Sequence, residues 1–315
     1  MSVLSDRHFH DEAAAYRFVE ARVWPNGPVC PHCGCMDRIS PMNGKSTRVG
    51  TYKCYDCRKP LTVKIGSFFE SSHVKMHLWL QAIFLMASSK KGVSSNQLHR
   101  TLGVTLKTAW FMSHRIREAM KAGGLGPMGG NGQIVEADET YYGPQANPVM
   151  SERRAGRPYI SGGKGPANKR AIVGLIERNG SVRTFHVASA TKDNVAEIVL
   201  ANIDEASMLF TDESRLYPAV GKAFNAHMTV KHSKNEYVRG GVHTNTIESY
   251  FSVFKRGMKG TYQHCAEKHL QRYLAEFDFR HNHRIALGVN DVARAGNILD
   301  GVVGKRLTYE TTSAR

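Results

Sequence analysis

Three acidic residues lie where metal-dependent chemistry would need them. Asp138 ends Gln133-Ile-Val-Glu-Ala-Asp, which alternates like a strand, and Asp212 directly follows the apolar segment Met208-Leu-Phe-Thr. An acid at the carboxyl end of a strand is well placed to hold a metal at the edge of a sheet. Glu248 lies in a predicted helix over 244–258, on the shoulder of an apolar stripe, and can reach toward the same edge.

Three carboxylates that converge on one point repel each other, and divalent cations can neutralise them. Mg²⁺ prefers oxygen ligands and retains waters. Two such ions roughly 4 Å apart can activate an attacking oxygen and stabilise a leaving oxygen at a phosphodiester. The residue types therefore predict a divalent-metal site that could act at a phosphodiester.

Each acid also has a simpler interpretation. Asp138 could be a surface carboxylate at a strand end, Asp212 a helix cap, and Glu248 a solvated helix residue. The nearest competitors are Glu136, Glu139 and Glu213, which we predict to be supporting or surface residues. Glu136 shares a strand face with Asp138, so spacing alone leaves it as a rival ligand.

Basic residues accompany the third acid. Lys255 lies seven residues, or two helical turns, after Glu248, on the same shoulder of the helix, and can meet a phosphate there. Arg256 and Lys259 continue this basic stretch. We expect all three to bind DNA.

Cysteines form a second constellation. Cys30-Pro-His-Cys33 and Cys54-Tyr-Asp-Cys57 are two C-x-x-C pairs separated by 20 residues, which is typical of a closed four-thiolate zinc site. The alternative is a set of ordinary buried cysteines. Cys35 and His32 are conceivable substitute ligands that do not fit the pair spacing. The remaining cysteine, Cys265, is expected in a core.

The composition indicates a polyanionic partner. The chain has 43 Lys+Arg against 27 Asp+Glu, a net charge of +16, and its pI is about 9.7. A merely basic soluble protein is the alternative. The sequence has no apolar run near the roughly 18 residues of a membrane span and no signal-peptide stretch, so we expect a cytoplasmic, nucleoid-associated protein without a membrane partner.

Local patterns predict the elements that position these residues. Helical spacing is found over 10–24 and at intervals between 76 and 120, and Gly123-Gly-Leu-Gly-Pro-Met-Gly-Gly-Asn-Gly marks a boundary. Strands and helices then mix, which indicates an α/β domain with a central sheet. The predicted division is an N-terminal helix and zinc ribbon (1–70), a helical DNA-binding segment (71–122), a linker (123–132), a catalytic domain (133–290) and a tail (291–315).

The helical segment contains a predicted helix-turn-helix. Ser94-Ser-Asn-Gln97 matches a capping box, Gly103 can end that helix, and Thr105 can cap the next. The second helix carries Lys107 and Arg115 off its apolar stripe, so we expect both to bind DNA. A plain helical connector with a basic face is the alternative.

The acids occur in the order Asp, Asp, Glu, with 35 residues between the last two. This order resembles the DDE transposases and retroviral-type integrases. The chain is more closely similar to bacterial insertion-sequence transposases with an N-terminal zinc ribbon, the ISXO2-like family. The similarity is carried by stretches that cover most of the chain: Trp24-Pro-Asn-Gly-Pro-Val-Cys-Pro-His-Cys-Gly, Val135-Glu-Ala-Asp-Glu-Thr-Tyr-Tyr-Gly, Gly165-Pro-Ala-Asn-Lys-Arg, His243-Thr-Asn-Thr-Ile-Glu-Ser-Tyr-Phe-Ser-Val-Phe-Lys-Arg-Gly, Lys259-Gly-Thr-Tyr-Gln-His and Lys268-His-Leu-Gln-Arg-Tyr.

The resemblance implies an RNase H-like catalytic domain in which Asp138, Asp212 and Glu248 bind Mg²⁺ or Mn²⁺ and Lys255 contacts the DNA end. It implies cleavage at transposon ends and strand transfer into target DNA. The partners would be terminal inverted repeats and target DNA, bound by a homodimer or higher oligomer. Some relatives carry Asn at the third acidic position, where this chain has Glu248. The segment 142–170 varies among relatives, and we expect a mobile, DNA-facing loop there.

Two other functions remain open at this point. A metal-dependent nuclease of the same fold would hydrolyse DNA without joining it. A zinc-ribbon regulator would bind DNA without acting on it.

Overall fold

A computed structural model describes residues 2–152, 155–158, 166–305 and 307. Its α-helices are α1 (Glu12–Val23), α2 (Met76–Ser88), α3 (Ser95–Leu102), α4 (Leu106–Met120), α5 (Lys192–Asn202), α6 (Asn245–Gly257), α7 (Leu270–Asn282) and α8 (Asp291–Asp300). Its strands are β1 (Ile39–Pro41), β2 (Tyr52–Cys54), β3 (Pro60–Leu61), β4 (Ile134–Pro144), β5 (Lys169–Glu177), β6 (Val182–Val187), β7 (Met208–Thr211) and β8 (Ala226–Thr229). No helix of this described part is long and apolar enough to cross a membrane.

The chain divides into two compact units, Met1–Lys121 with Val289–Arg315, and Ala122–Gly288. In the first unit, β1, β2 and β3 form a small antiparallel ribbon. Helices α1, α2, α4 and α8 pack together beside it. The sequence predicted a C-terminal tail from residue 291, and the structure corrects this prediction. Helix α8 is a capped helix that buries Ile298 and Leu299 within this unit.

The predicted helix-turn-helix geometry is present in the same unit. The Ser94 hydroxyl accepts the N–H of Gln97 at 3.1 Å and caps α3. Gly103 ends α3 at φ 66°, the left-handed region that favours glycine. Thr105 then caps α4 through the N–H of Thr108 at 3.2 Å. The geometry supports two helices joined by a short turn, and their DNA-reading role stays a prediction.

The second unit is built on a five-stranded sheet in the order β6-β5-β4-β7-β8. Strands β4, β5 and β6 pair antiparallel, whereas β7 is parallel to β4 and β8 is parallel to β7. Helix α5 contributes to the apolar core on one face of the sheet, and α6 and α7 contribute to the core on the other. This order and these directions are those of an RNase H-like fold, as predicted.

The alternation within β4 assigns its side chains to the two faces. Val135 and Ala137 join the core that contains α5. Glu136 and Asp138 pair with Ile176 and Gly174 of β5. Because Ile176 lies in the core that contains α6, both acids lie on the α6 side of the sheet.

Two sequence expectations change in this unit. The glycine-rich segment 123–132 is not a free linker, since Met128 is buried in the α5 core and its N–H donates to the carbonyl of Asn202 at 2.7 Å. Strand β4 also continues past Asp138 to Pro144, because β5 pairs with it as far as Lys169. The predicted mobile loop over 142–170 includes residues 153–154 and 159–165, which lie outside the described residues.

Candidate active site and zinc centre

The two cysteine pairs meet in the first unit. Cys30 Sγ lies 3.6 Å from Cys57 Sγ, and Cys33 Sγ lies 3.6 Å from Cys54 Sγ. All four sulfur atoms lie within 4.8 Å of one another. Tetrahedral zinc with Zn–S bonds of about 2.3 Å requires sulfur atoms about 3.8 Å apart, so this donor set fits the ion and supports structural zinc.

The other sulfur and imidazole candidates lie outside that cluster. Cys35 contributes its carbonyl, which accepts the N–H of Cys30 at 2.9 Å and closes the first knuckle. His32 is not among the clustered ligands of the described residues either. Cys265 belongs to the second unit and is half-buried against the core of α6 and α7.

Asp138 and Asp212 converge at the sheet edge. The last β4–β7 pair is Glu136 with Phe210, so Asp138 lies just beyond the point where β7 stops pairing. Asp212 follows β7 directly, and its carboxylate accepts the N–H of Ser214 at 2.9 Å. Carboxylate oxygens of Asp138, Asp212 and Glu139 all lie within 4.8 Å of one another.

The electrostatics of this group are those of crowded carboxylates. Burial raises the pKa of Asp138 well above its usual value, and the neighbouring charges of Asp212, Glu139 and Glu248 raise it further. Burial also raises the pKa of Asp212. Oxygen donors that repel one another in this way are the ligand set that hard divalent cations require, so the residues fit Mg²⁺ or Mn²⁺.

Glu248 joins the site from the first turn of α6. Its Oε1 accepts a hydrogen bond from the Thr244 hydroxyl at 2.9 Å and lies 3.6 Å from His232 Nε2. Its side chain is 42% exposed, and it lies outside the tight group of three carboxylates, although it lines the same cavity.

One open cavity of about 510 Å³ contains these groups. Both acidic and cationic side chains line it. Lys255 and Arg256, both predicted from sequence, line it together with the three predicted acids. The lining residues are Asp138, Glu139, Thr140, Asp212, His232, Glu248, Phe251, Ser252, Lys255 and Arg256.

The three competing glutamates have different positions. Among the described residues, Glu139 belongs to the tight carboxylate group with Asp138 and Asp212, whereas Glu136 and Glu213 lie outside it. Glu139 accepts hydrogen bonds from the hydroxyls of Ser214 at 3.0 Å and Tyr217 at 2.9 Å. It thereby ties β4 to the loop that follows Asp212. Glu213 is exposed and accepts the N–H and hydroxyl of Ser233. Glu136 is fully buried and faces the start of α6 rather than the cavity.

The predicted DNA-binding cations have different environments. Lys255, Arg256, Lys259 and Lys107 are exposed. Partial desolvation in the cavity lowers the pKa of Lys255, and the charge of Asp138 opposes that shift. The structure does not support the prediction that Arg115 binds DNA. Arg115 is only 4% exposed, and its Nη1 donates to the carbonyls of Phe68 and Glu70. Its guanidinium satisfies buried backbone oxygens instead of facing solvent.

Sequence reasoning missed His232, Thr244 and Tyr217. His232 and Tyr217 each contact an acid that is distant in the sequence, and Thr244 contacts Glu248 across one helical turn, so no sequence motif marks them. Thr244 precedes α6 where an N-cap residue is expected, which is the one signal that could have drawn attention to it.

The strand order and the acids at the ends of its central strands define the second unit as an RNase H-like domain of the polynucleotidyl-transferase type. Residues 129–282 match the family model described as the ISXO2-like transposase domain, and residues 10–60 match the one described as the transposase zinc-ribbon domain. The chain thus carries an ISXO2-like transposase domain and a transposase zinc ribbon, and its function is that of a DNA transposase.

A relative from Halobacterium salinarum, described as an uncharacterized protein in transposable element ISH50, is 28% identical over 280 residues. The alignment covers 86% of this chain and 91% of the relative.

Two solved structures show weaker similarity. A chain of the simian T-cell lymphotropic virus intasome in complex with PP2A regulatory subunit B56 gamma has a TM-score of 0.29 and 13% identity, covering 57% of this chain and 63% of that one, which is less than two thirds of its length. A chain of the Mos1 transposase paired-end complex with left transposon end has a TM-score of 0.28 and 12% identity, covering 70% of this chain and 74% of that one. The fold assignment depends on the strand order, not on these superpositions.

Proposed function

We propose that this transposase cleaves DNA at the ends of its transposon and joins the freed ends to target DNA, using Asp138, Asp212 and Glu248. The observation that carries the proposal is the convergence of these carboxylates, distant in sequence, in one open cavity with Lys255 and Arg256. An open cavity suits a polymeric substrate, which enters from the side and does not have to be enclosed.

Two reactions at phosphorus account for the proposed function. In the first, a water oxygen bonds to phosphorus at the transposon end and the bond to the 3′ oxygen breaks, which leaves a free 3′-hydroxyl. In the second, that hydroxyl oxygen bonds to a phosphorus of target DNA, and the target's own 3′ oxygen leaves. Each step exchanges one phosphorus–oxygen bond for another, so no external energy source is needed.

Asp138, Asp212 and Glu248 would hold two divalent cations, Mg²⁺ or Mn²⁺. Such ions, when bound, supply Lewis-acid activation of the attacking oxygen and charge stabilisation of the leaving oxygen. The chain's own residues provide placement. Asp138 and Asp212 are fixed by adjacent strands, whereas Glu248 projects from the first turn of α6, where Thr244 orients it. We assign a supporting role to Glu139, the third carboxylate of the tight group, because both of its oxygens already accept hydroxyl donors.

The cations of the cavity would hold the DNA backbone. Lys255 and Arg256 line the same cavity as the acids and can neutralise phosphate charge beside the reacting bond. Lys259, one turn further along the chain, and Lys107 on α4 are exposed and would add contacts independent of sequence. Binding should therefore weaken steeply with salt.

The remaining partners follow from the proposed reaction. Terminal inverted repeats occur in pairs, so a dimer or higher assembly would hold two ends together. The zinc ribbon would contribute to DNA binding or to subunit contacts, and its basic surface favours DNA. It carries Arg38, Lys45, Arg48, Arg58 and Lys59 as exposed residues.

Cleavage and joining of DNA with the element's terminal sequences test the proposal. Asp138→Asn, Asp212→Asn and Glu248→Gln should each reduce cleavage at least about 100-fold while DNA binding persists, because each removes a ligand charge. A pre-cut end separates strand transfer from hydrolysis. Joining of that end by the native protein supports a transposase mechanism, whereas hydrolysis without joining would support a nuclease. Native cleavage rates in all three variants would exclude this site.

A further inference from the structure

The start of α6 has an unusual cap. Thr244 occupies the N-cap position, but its hydroxyl donates to Glu248 Oε1 at 2.9 Å. The first backbone N–H groups of a helix have no partner within the helix and need an acceptor. Here that acceptor comes from a strand: Glu136 Oε2 accepts the N–H of Thr246 at 2.9 Å and of Ile247 at 3.1 Å.

The other oxygen of Glu136 strengthens the same connection. Its Oε1 accepts the Thr246 hydroxyl at 2.8 Å and Arg178 Nε at 2.8 Å. Arg178 in turn donates to the carbonyls of Gly241 at 2.8 Å and His243 at 3.1 Å, which belong to the segment leading into α6. One buried carboxylate thus holds both the entry segment and the first turn of the helix.

The position of Glu136 links two of the proposed metal ligands. It lies two residues before Asp138 on the same face of β4, and the N–H groups that it accepts lie one and two residues before Glu248. We propose that Glu136 is a positioning residue that fixes Glu248 relative to Asp138 by capping α6. This inference rests on the proposed metal site and adds a residue to it.

Glu136 is poorly placed to be a ligand itself. It is 0% exposed, and it is absent from the described residues that line the cavity. Both of its oxygens already accept hydrogen bonds from α6 or Arg178. A carboxylate at the start of a helix also interacts favourably with the helix dipole, which adds to the stability of this arrangement.

The test measures Mn²⁺ binding by the full-length, zinc-loaded protein without DNA. The electron paramagnetic resonance signal of free Mn²⁺ reports how much of the ion remains unbound. Loss of residues that orient metal ligands typically weakens metal binding about 10–100-fold. We expect a weakening of that size in Glu136→Ala. Glu136→Gln keeps an oxygen that can accept both N–H groups, so it should bind Mn²⁺ more tightly than the alanine variant. A residue that bound metal directly would lose affinity equally in both variants.

Glu276 provides the matched control. It is also 0% exposed and paired with an arginine, Arg280, but both lie on α7. Glu276→Ala should destabilise the domain and leave Mn²⁺ affinity in the folded protein unchanged. If Glu276→Ala and Glu136→Ala weaken Mn²⁺ binding equally, or if neither weakens it, the positioning role is wrong. If Glu136→Ala does not fold, Glu136→Asp replaces it, because the shorter side chain withdraws the carboxylate from the N–H groups of Thr246 and Ile247 and keeps its charge. Native Mn²⁺ affinity in Glu136→Asp would then overturn the positioning role.

Asp138→Asn distinguishes failure of this inference from failure of the proposed function. Weakened Mn²⁺ binding in Asp138→Asn, with native binding in Glu136→Ala, would overturn only the role of Glu136. Native Mn²⁺ binding in Asp138→Asn would overturn the metal site itself.

Discussion

Asp138 pairs directly with Gly174 across β4 and β5, and the missing side chain at Gly174 makes room for the helix that carries Glu248. A Cβ atom at Gly174 would lie 2.6 Å from Phe251 Cζ and 2.9 Å from Ile247 Cδ1, both on α6. Such distances are shorter than carbon atoms tolerate, so a larger residue must shift these two buried side chains or displace α6, which carries them. The close approach of α6 to Asp138 therefore depends on glycine at this position.

Gly174→Ala should accordingly lower the free energy of unfolding by about 1–3 kcal/mol, the usual cost of overpacking a core. Displacement of α6 should also reduce DNA cleavage, because Glu248 moves with its helix. Urea denaturation and the cleavage assay measure the two effects. Gly123→Ala is the control, since a Cβ there meets nothing within 4 Å. Equal stability of the two variants would show that α6 adjusts without cost.

The buried carboxyl of Asp278 predicts a pH dependence of stability. Burial raises the pKa of Asp278 to about 7, although hydrogen bonds from Tyr250 and Thr184 oppose the shift. An unfolded aspartate has a pKa of about 3.9, so between about pH 4 and pH 7 the folded protein retains a proton that the unfolded chain has lost. The free energy of unfolding should therefore fall as the pH rises through this window.

Asp278→Asn should remove that part of the pH dependence. The asparagine oxygen can accept the Thr184 N–H, now 3.0 Å from Oδ2, and its amide can donate to the Tyr250 hydroxyl. Urea denaturation of both proteins from about pH 5 to about pH 8 isolates this carboxyl, because the other acids contribute equally to both. Parallel curves would mean that Asp278 is ionised throughout the range.

Much of the site was predictable because it depends on local periodicity. Alternation places Asp138 on one strand face, and the apolar stripe of α6 places Glu248 on its shoulder. The role of Glu136 was not predictable, because its hydrogen bonds to Thr246 connect residues 110 positions apart. Spacing along one strand cannot distinguish a ligand from a cap for another element.

The errors have a common physical cause. Helix α8 packs against α2, and its Arg294 donates to the carbonyl of Ala87, which lies 207 positions earlier in the chain. Arg115 lies off the apolar stripe of α4, but this helix is buried on more than one side. Packing between elements therefore determines the burial of α8 and Arg115. The sequence pattern of a single element does not show such packing.

The four-cysteine site of the zinc ribbon predicts how much zinc each cysteine variant binds. Cys30→Ser and Cys57→Ser should each lose the bound zinc, because a closed site needs all four sulfur ligands. The ribbon should then unfold locally, since metal binding supplies on the order of 10 kcal/mol to such small domains. Elemental analysis of purified protein checks the zinc content. Cys35→Ser and Cys265→Ser are the controls and should keep about one zinc per chain; equal zinc loss in Cys35→Ser would change the assigned ligand set.

Lys107 and Arg115 are both cationic residues of α4, but their replacement by alanine should have different effects on DNA binding and on stability. Lys107 is exposed near the start of α4, so Lys107→Ala should leave stability unchanged and reduce the slope of log affinity against log salt by about 1, as expected for one phosphate contact. Arg115 Nη1 instead donates to the carbonyls of Phe68 at 2.6 Å and Glu70 at 2.8 Å. Arg115→Ala leaves these oxygens without that donor and should cost about 1–3 kcal/mol of stability.

Salt titrations of DNA binding and urea denaturation of both variants separate the two roles. The physical difference is that a solvated ammonium exchanges counterions with DNA, whereas a guanidinium bound to buried carbonyls cannot leave them without unfolding part of α4. A reduced salt slope with native stability in Arg115→Ala would place this guanidinium on DNA and contradict the buried position. If the slope of log DNA affinity against log salt is unchanged in Lys107→Ala, the start of α4 does not belong to the DNA-binding surface.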